Sequence, residues 1–314
     1  MTTEPSQISR VGGARPGSGL VARVLTAVYA LLVTPIASAL LSYGGTSWLQ
    51  YRATTGSEAS FGGLLASPVG AAVLLGTGLG LLLLVSVVAT GIVSSAGLVL
   101  VGAMGLASVI LSAVPALLMQ VYRLTGDILP FEVLDGLVHG LPLILHPLMG
   151  GLGLALVIAR RRPRAPLVAA IAGLVLLPLV LLAGTGMALG GLGAGTAWAM
   201  RTFDTQVAPL ALVLVLAGAL LVWLSAAASG VSPYALVVPA LLLLLASAAA
   251  LSPTMPGLSS LWTSHYGSGV VTFLIVGGGA AAAAVMLAHT AVLALVRGRA
   301  GRRLRTAESG AAAS

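Results

Sequence analysis

The chain has 314 residues, of which 58% are hydrophobic and only 7% are charged. Because a soluble domain carries about 25% charged residues, this composition excludes a water-soluble globular protein and predicts an all-α, polytopic membrane bundle. The net charge is +8, yet the basic residues cluster beside apolar runs, which excludes a nucleic-acid-binding face. The absence of cysteine and lysine excludes disulfides, thiolate metal sites and a Walker-A phosphate loop.

Eight apolar runs are long enough to cross a bilayer as helices of about 20 residues. We expect these spans at residues 21–42, 68–90, 92–119, 138–159, 166–190, 207–228, 231–252 and 268–296. Residues 1–20 are polar and residues 298–314 form a basic tail, so both ends are expected to be disordered. The first run contains Ala37-Ser38-Ala39, which is typical of a signal-peptide cleavage site, but its apolar character continues past this point and favours a membrane helix.

The arginines set the expected orientation. They cluster before or at the start of the first run, in the segment 160–164 and from residue 297 onwards. An even number of spans places all three clusters on one side, and the positive-inside rule assigns that side to the cytoplasm. We therefore expect both termini in the cytoplasm and the protein in the inner membrane of a bacterium, since exclusive arginine usage with abundant alanine and glycine is typical of GC-rich bacterial coding. The expected partners are membrane lipids.

The loop pattern predicts two parallel four-helix units related by an axis normal to the membrane. The first unit, the arginine-rich linker and the second unit are residues 21–159, 160–165 and 166–297. Gly45-Thr46-Ser47-Trp48 lies in the predicted outer loop after the first helix, and Gly195-Thr196-Ala197-Trp198 lies at the corresponding place in the second unit. Arg52 and Arg201 follow these two segments. The alternative is that a glycine-rich membrane sequence produces such matches by chance.

Most acidic residues and two histidines are concentrated outside the predicted span centres. Glu132, Asp135 and His139 are spaced for one helix face, and His146 follows seven residues later. Together with His265, these side chains are a candidate metal site or proton path. Four residues weaken a regular helix in this segment and favour the alternative, a wetted interfacial loop: Pro130, Gly136, Gly140 and Pro142.

Two functions fit the sequence. The first is a permease-like protein with an outward-facing site, in which an arginine beside a tryptophan holds an anionic group. The residues expected to line this site are Trp48, Arg52, Trp198, Arg201, His139 and His265. Interfacial anchoring by the aromatic residues is the simpler alternative reading of the same residues. No Asp or Glu lies at a predicted span centre, which argues against a carrier coupled to ions through intramembrane carboxylates.

The second function is an accessory or scaffold subunit that packs against other membrane subunits through small-residue faces. Gly76 and Gly80 have the small-xxx-small spacing that allows close helix approach. No protease or hydrolase motif occurs, so we expect no enzymatic activity and no cofactor.

Overall fold

The chain is a bundle of α-helices in the computed structural model. The structure describes residues 16–56, 61–126, 128, 131–161, 167–203, 206, 208–251, 264 and 266–312. Within these ranges no strand occurs, and seven helices are long and apolar enough to cross a membrane. The predicted class, an all-α multi-pass membrane bundle, is confirmed.

Thirteen α-helices are described. They are α1 (Pro16–Thr55), α2 (Phe61–Ala66), α3 (Pro68–Ala89), α4 (Ala96–Ala113), α5 (Pro115–Thr125), α6 (Phe131–Val138), α7 (Leu141–Arg161), α8 (Leu167–Leu192), α9 (Trp198–Thr202), α10 (Pro209–Ala228), α11 (Val237–Leu251), α12 (Gly267–Ile275) and α13 (Gly278–Ala312). A 3₁₀ turn, Thr90–Ile92, follows α3, and a π-helical turn, Gly193–Ala197, joins α8 to α9.

Three of the eight predicted spans differ from their predicted form. The third ends at Ala113 because Pro115 has no backbone N–H and starts a new helix. The seventh is only the 15-residue helix α11, which at about 1.5 Å per residue is shorter than a hydrocarbon core of about 30 Å. The eighth is divided into α12 and α13 by a break at Gly277.

Two regions are helical where the sequence predicted loops or disorder. Trp48 and Arg52 lie within α1 rather than in an outer loop, and Trp198 and Arg201 lie within α9. The helix α13 continues to Ala312 through the segment predicted to be a disordered tail. Alanine, leucine and arginine are strong helix formers, which explains a continuous helix in that segment. The predicted disorder of the first 15 residues lies outside the described residues.

The helices α7 and α13 form the centre of the bundle, since they are the most deeply buried of the long helices. Around them, glycines allow two pairs of helices to pack closely. A Cβ atom on Gly76 of α3 would lie 2.8 Å from the Leu40 carbonyl oxygen of α1. A Cβ atom on Gly218 of α10 would lie 2.6 Å from the Gly184 carbonyl oxygen of α8. The small residues are therefore used for contacts inside the fold.

A broken helix occurs twice. Gly140 separates α6 from α7 with φ 79°, and Gly277 separates α12 from α13 with φ 85°, in the left-handed region that favours glycine. The surrounding backbone hydrogen bonds recur 137 residues later: His139 N–H to Asp135 O and Val276 N–H to Thr272 O, Gly140 N–H to Leu137 O and Gly277 N–H to Leu274 O, Ile144 N–H to Gly140 O and Ala281 N–H to Gly277 O. The two breaks therefore have the same local backbone structure.

The far ends of the two central helices also make matching contacts. Arg160 at the end of α7 donates from Nη2 to the Gly91 carbonyl oxygen in the turn after α3. Arg297 of α13 donates from Nη2 to the Gly230 carbonyl oxygen in the turn after α10. Each arginine satisfies a carbonyl that the end of a helix leaves without an intrahelical partner.

Candidate functional site

A cavity of about 540 Å³ lies at the break between α12 and α13. The helices α1 and α3 form one wall, and α11, α12 and α13 form the other. Its lining includes Gly44, Trp48, Thr77, Gly78, Ser247 and Gly277. This volume is within the range of about 300–1,000 Å³ that ligand sites occupy.

Two buried polar atoms in the cavity wall have no hydrogen-bond partner. They are Nε1 of Trp48, on a side chain that is 7% exposed, and Oγ of Ser247, on a side chain that is 3% exposed. Buried polar atoms are nearly always paired, so two orphans in one wall mark a place where a ligand can bind. The Trp48 ring is held in place by stacking on Tyr51, with centroids 5.8 Å apart.

The start of α13 adds further donors beside the cavity. The N–H of Ala281 bonds to the Gly277 carbonyl, so the N–H groups of Gly278, Gly279 and Ala280 have no acceptor within the helix. A Cβ atom on Gly279 would collide with Oγ of Ser247. The hydroxyl of Ser247 therefore lies directly against the first turn of α13.

The other unit has a cavity in the corresponding position but with a different lining. Its volume is about 470 Å³, and it lies between α4, α7 and α10. Its lining is apolar apart from the indole of Trp223 and includes Gly102, Gly105, Val109, Pro147 and Leu220. The donor group of Trp48 and Ser247 is therefore a feature of only the first of these two cavities.

The sequence-predicted site residues fall into two groups. Trp48 lines the cavity at the α12–α13 break, whereas Arg52 lies one turn further along α1 and donates from Nη1 to the Ala250 carbonyl oxygen at 3.2 Å. This contact joins α1 of the first half to the end of α11 in the second.

The second group lies near the other break. Trp198 is 44% exposed and Arg201 is exposed. Burial, and after it the positive charge of Arg201, lowers the pKa of His139 to about 4. The Nδ1 atom of His139 is buried without a partner. The structure therefore brings Arg201 close to His139, while neither lines the cavity that contains Trp48. His265 lies outside the described residues.

The helix face predicted to hold a metal or a proton path is interrupted. The prediction of one continuous helix is wrong, because the turn at Gly140 separates Asp135 and His139 from His146. His146 is buried in α7, and its Nδ1 lies 2.8 Å from Oγ of Ser108. No group of three metal-ligating side chains occurs among the residues that the structure describes, and the side chain of Glu132 is not among them.

Asp135 has a different role in the structure. The hydroxyl of Tyr122 in α5 donates to its Oδ1 at 2.8 Å, which connects α5 to α6. Burial raises the pKa of Tyr122, and the neighbouring charge of Asp135 and this hydrogen bond raise it further. The contact is that of a structural link between two short helices.

Sequence reasoning missed Thr77 and Ser247. Both are small hydroxyl residues within apolar runs, where they have no distinguishing spacing or neighbours. The only available signal was the triplet from Gly277 to Gly279, which interrupts an otherwise apolar run at the break. No protein-family model, curated protein or solved structure matches this chain.

Proposed function

We propose that this protein is a permease-like membrane protein built from two duplicated four-helix units. The observation that carries the proposal is the broken helix that occurs in both units, with one break opening onto a cavity between them. Discontinuous helices at the interface of internal repeats are the usual substrate-binding elements of transporters. Backbone that leaves the helix within a membrane is tolerated where it is buried in protein or lines a cavity.

The duplication is supported by more than the break. The three repeated hydrogen bonds and the two arginine contacts have the same spacing of 137 residues. The closely packed pair α1 and α3 has the pair α8 and α10 as its counterpart. We propose parallel units, since both start and end on the arginine-rich side, and such units can rock against each other about an axis normal to the membrane.

The proposed transport does not depend on an intramembrane carboxylate. None of the seven long apolar helices contains Asp or Glu. Carriers that couple substrate movement to protons or sodium commonly place such carboxylates within the membrane. We therefore propose that the substrate moves down its own gradient, with no enzymatic step.

We propose that the protein lies in the cytoplasmic membrane of a bacterium with both termini in the cytoplasm. The arginines of the inner ends support this orientation through the positive-inside rule. In this orientation the cavity lies towards the outer face, at the end of α13 opposite Arg297.

The scaffold function has less support. The small residues that would form a flat docking face, Gly76 and Gly80, pack against α1 within the fold. A partner would therefore have to bind the large apolar side chains of the outer surface, which lipid tails cover in any membrane protein.

Movement between the units is the test. The natural absence of cysteine permits spin labels at two chosen pairs: Ala53→Cys with Thr202→Cys near the proposed outer face, and Val93→Cys with Tyr234→Cys near the inner face. All four side chains are exposed in the structure. In lipid nanodiscs we expect two distance populations for each pair by pulsed electron spin resonance, because a permease samples at least two conformations.

A single narrow distance for both pairs would reject the permease and favour the scaffold. The same variants test the orientation. A membrane-impermeant maleimide should label Ala53→Cys but not Val93→Cys in intact cells, and the reverse pattern would invert the proposed topology.

A further inference from the structure

We propose that the cavity at the α12–α13 break binds an acyl chain of a glycerophospholipid and hydrogen-bonds the ester carbonyl of that chain. This inference deepens the proposed function by naming the substrate class of its site. It rests on that function only for the role of the bound lipid, since binding itself can be measured without transport.

The wall of the cavity gives access from the bilayer. Leu74 of α3 lines the cavity and is 47% exposed, and α3 is one of the least buried long helices. The exposed side of such a helix faces lipid tails. A chain can therefore enter sideways from the membrane without crossing water.

The polar atoms of the cavity select an acceptor. The indole N–H of Trp48 can only donate, and the same holds for the free backbone N–H groups at the start of α13. Ser247 adds a hydroxyl that also donates. A ligand that satisfies these groups must bring an oxygen acceptor into an otherwise apolar cavity, and an ester carbonyl lies at the head of every acyl chain of a glycerophospholipid.

Charge separates the carbonyl from the headgroup. No charged side chain lines the cavity, so a phosphate would be poorly stabilised within it. Arg52 lies four residues after Trp48, about 6 Å further along α1 and on the same face. A phosphate that remains at the interface can therefore approach the donors of Arg52 that its contact with Ala250 does not use.

Cross-linking with two lipid probes tests this arrangement. Both are phosphatidylglycerols with a diazirine in one chain; one has ester linkages and the other has ether linkages without a carbonyl. In vesicles with purified protein, we expect the ester probe to label α11 and α12 several-fold more than the ether probe does. Both should label the lipid-facing side of α8 equally. Equal labelling of α11 and α12 by the two probes would refute the carbonyl contact.

A cavity-filling variant tests the site itself. Gly78 lines the cavity, and a Cβ atom there has no neighbour within 4 Å, so Gly78→Phe fills the space without a backbone collision. Gly186 of α8 also has open space beyond its Cα but lies outside this cavity, which makes Gly186→Phe the matched control. We expect Gly78→Phe to abolish preferential labelling of α11 and α12, and the control to keep it.

The outcomes separate this inference from the proposed function. Wild-type labelling in Gly78→Phe would overturn the lipid site, whatever the spin-label distances show. Ester-selective labelling together with a single rigid distance at both label pairs would keep the lipid site and reject the permease.

Discussion

Replacement of Gly277 by alanine tests the broken helix most directly. An L side chain in the left-handed region costs about 1–2 kcal/mol. The added Cβ has only Thr77 Cγ2 nearby, at 3.7 Å, so steric overlap adds nothing. We therefore expect Gly277→Ala to lower the free energy of unfolding by about 1–2 kcal/mol through backbone conformation alone.

The equivalent change at the first break should cost more. A Cβ on Gly140 would lie 2.6 Å from Leu189 Cδ2 and 3.0 Å from Leu192 Cδ2, in addition to the backbone cost. Both leucine ends must shift, and overpacking of this kind costs about 1–3 kcal/mol. The order of stability is therefore expected to be wild type, then Gly277→Ala, then Gly140→Ala.

Two matched glycines supply the control. Gly78 and Gly186 lie within helices with open space beyond their Cα atoms. Alanine at such positions is expected to stabilise by about 0.5–1 kcal/mol. The assay is unfolding by sodium dodecyl sulfate in mixed micelles, followed by circular dichroism, with unchanged slopes. Stabilisation by Gly277→Ala equal to that by Gly78→Ala would mean that the helix continues through residue 277, and the reasoning from a repeated break would fail.

Three further changes have defined expected outcomes. Arg160→Gln and Arg297→Gln should each lower the free energy of unfolding by about 1.5–3 kcal/mol, because each removes a charge-assisted hydrogen bond to a turn carbonyl; a loss in only one variant would contradict the equivalence of the two contacts. Ser247→Ala should raise the unfolding free energy of lipid-free protein by about 1 kcal/mol or more, because it removes an unpaired buried hydroxyl, while it weakens labelling by the ester probe; a destabilised lipid-free variant would show that the hydroxyl has a partner. The pKa of His139 is lowered to about 4, so the native state binds its proton less readily than the unfolded chain, and stability should fall as the pH decreases from about 6.5 to about 4. His139→Gln should remove this part of the pH dependence in the same unfolding assay, and an unchanged pH dependence would exclude His139 as its source.

The spans were predictable because their cause is local. A run of apolar side chains long enough for the bilayer must be helical, since no other backbone satisfies its own hydrogen bonds in lipid. The breaks were only partly predictable. Near Gly140 the sequence offers helix-weakening residues such as Pro142, but at Gly277 three glycines lie in an apolar run. Whether such a triplet continues the helix or breaks it depends on packing against α1, where a Cβ on Gly45 would meet Val276 Cα at 2.5 Å.

The candidate site was predictable at one residue and not at its neighbours. Trp48 stood out because tryptophan is rare in this chain and typical of the membrane interface. Ser247 and Thr77 become site residues only when α11 and α3 come together beside the break, which no local pattern reports. The polar segment around His139 attracted attention for its composition. Its histidine and carboxylate instead lie near separate partners, Arg201 and Tyr122.

The two breaks share a backbone but differ in what fills the space beside them, and this difference locates the function. At Gly140 the position of a Cβ is closed by Leu189 and Leu192, whereas at Gly277 only Thr77 lies within 4 Å. The position equivalent to Val276 is occupied by His139, which is buried near a positive charge. A duplicated fold therefore has one break closed by leucine side chains and one that opens onto a cavity with unpaired donors. A permease needs only one such site between units that move, so the second unit's break is where we expect substrate to bind.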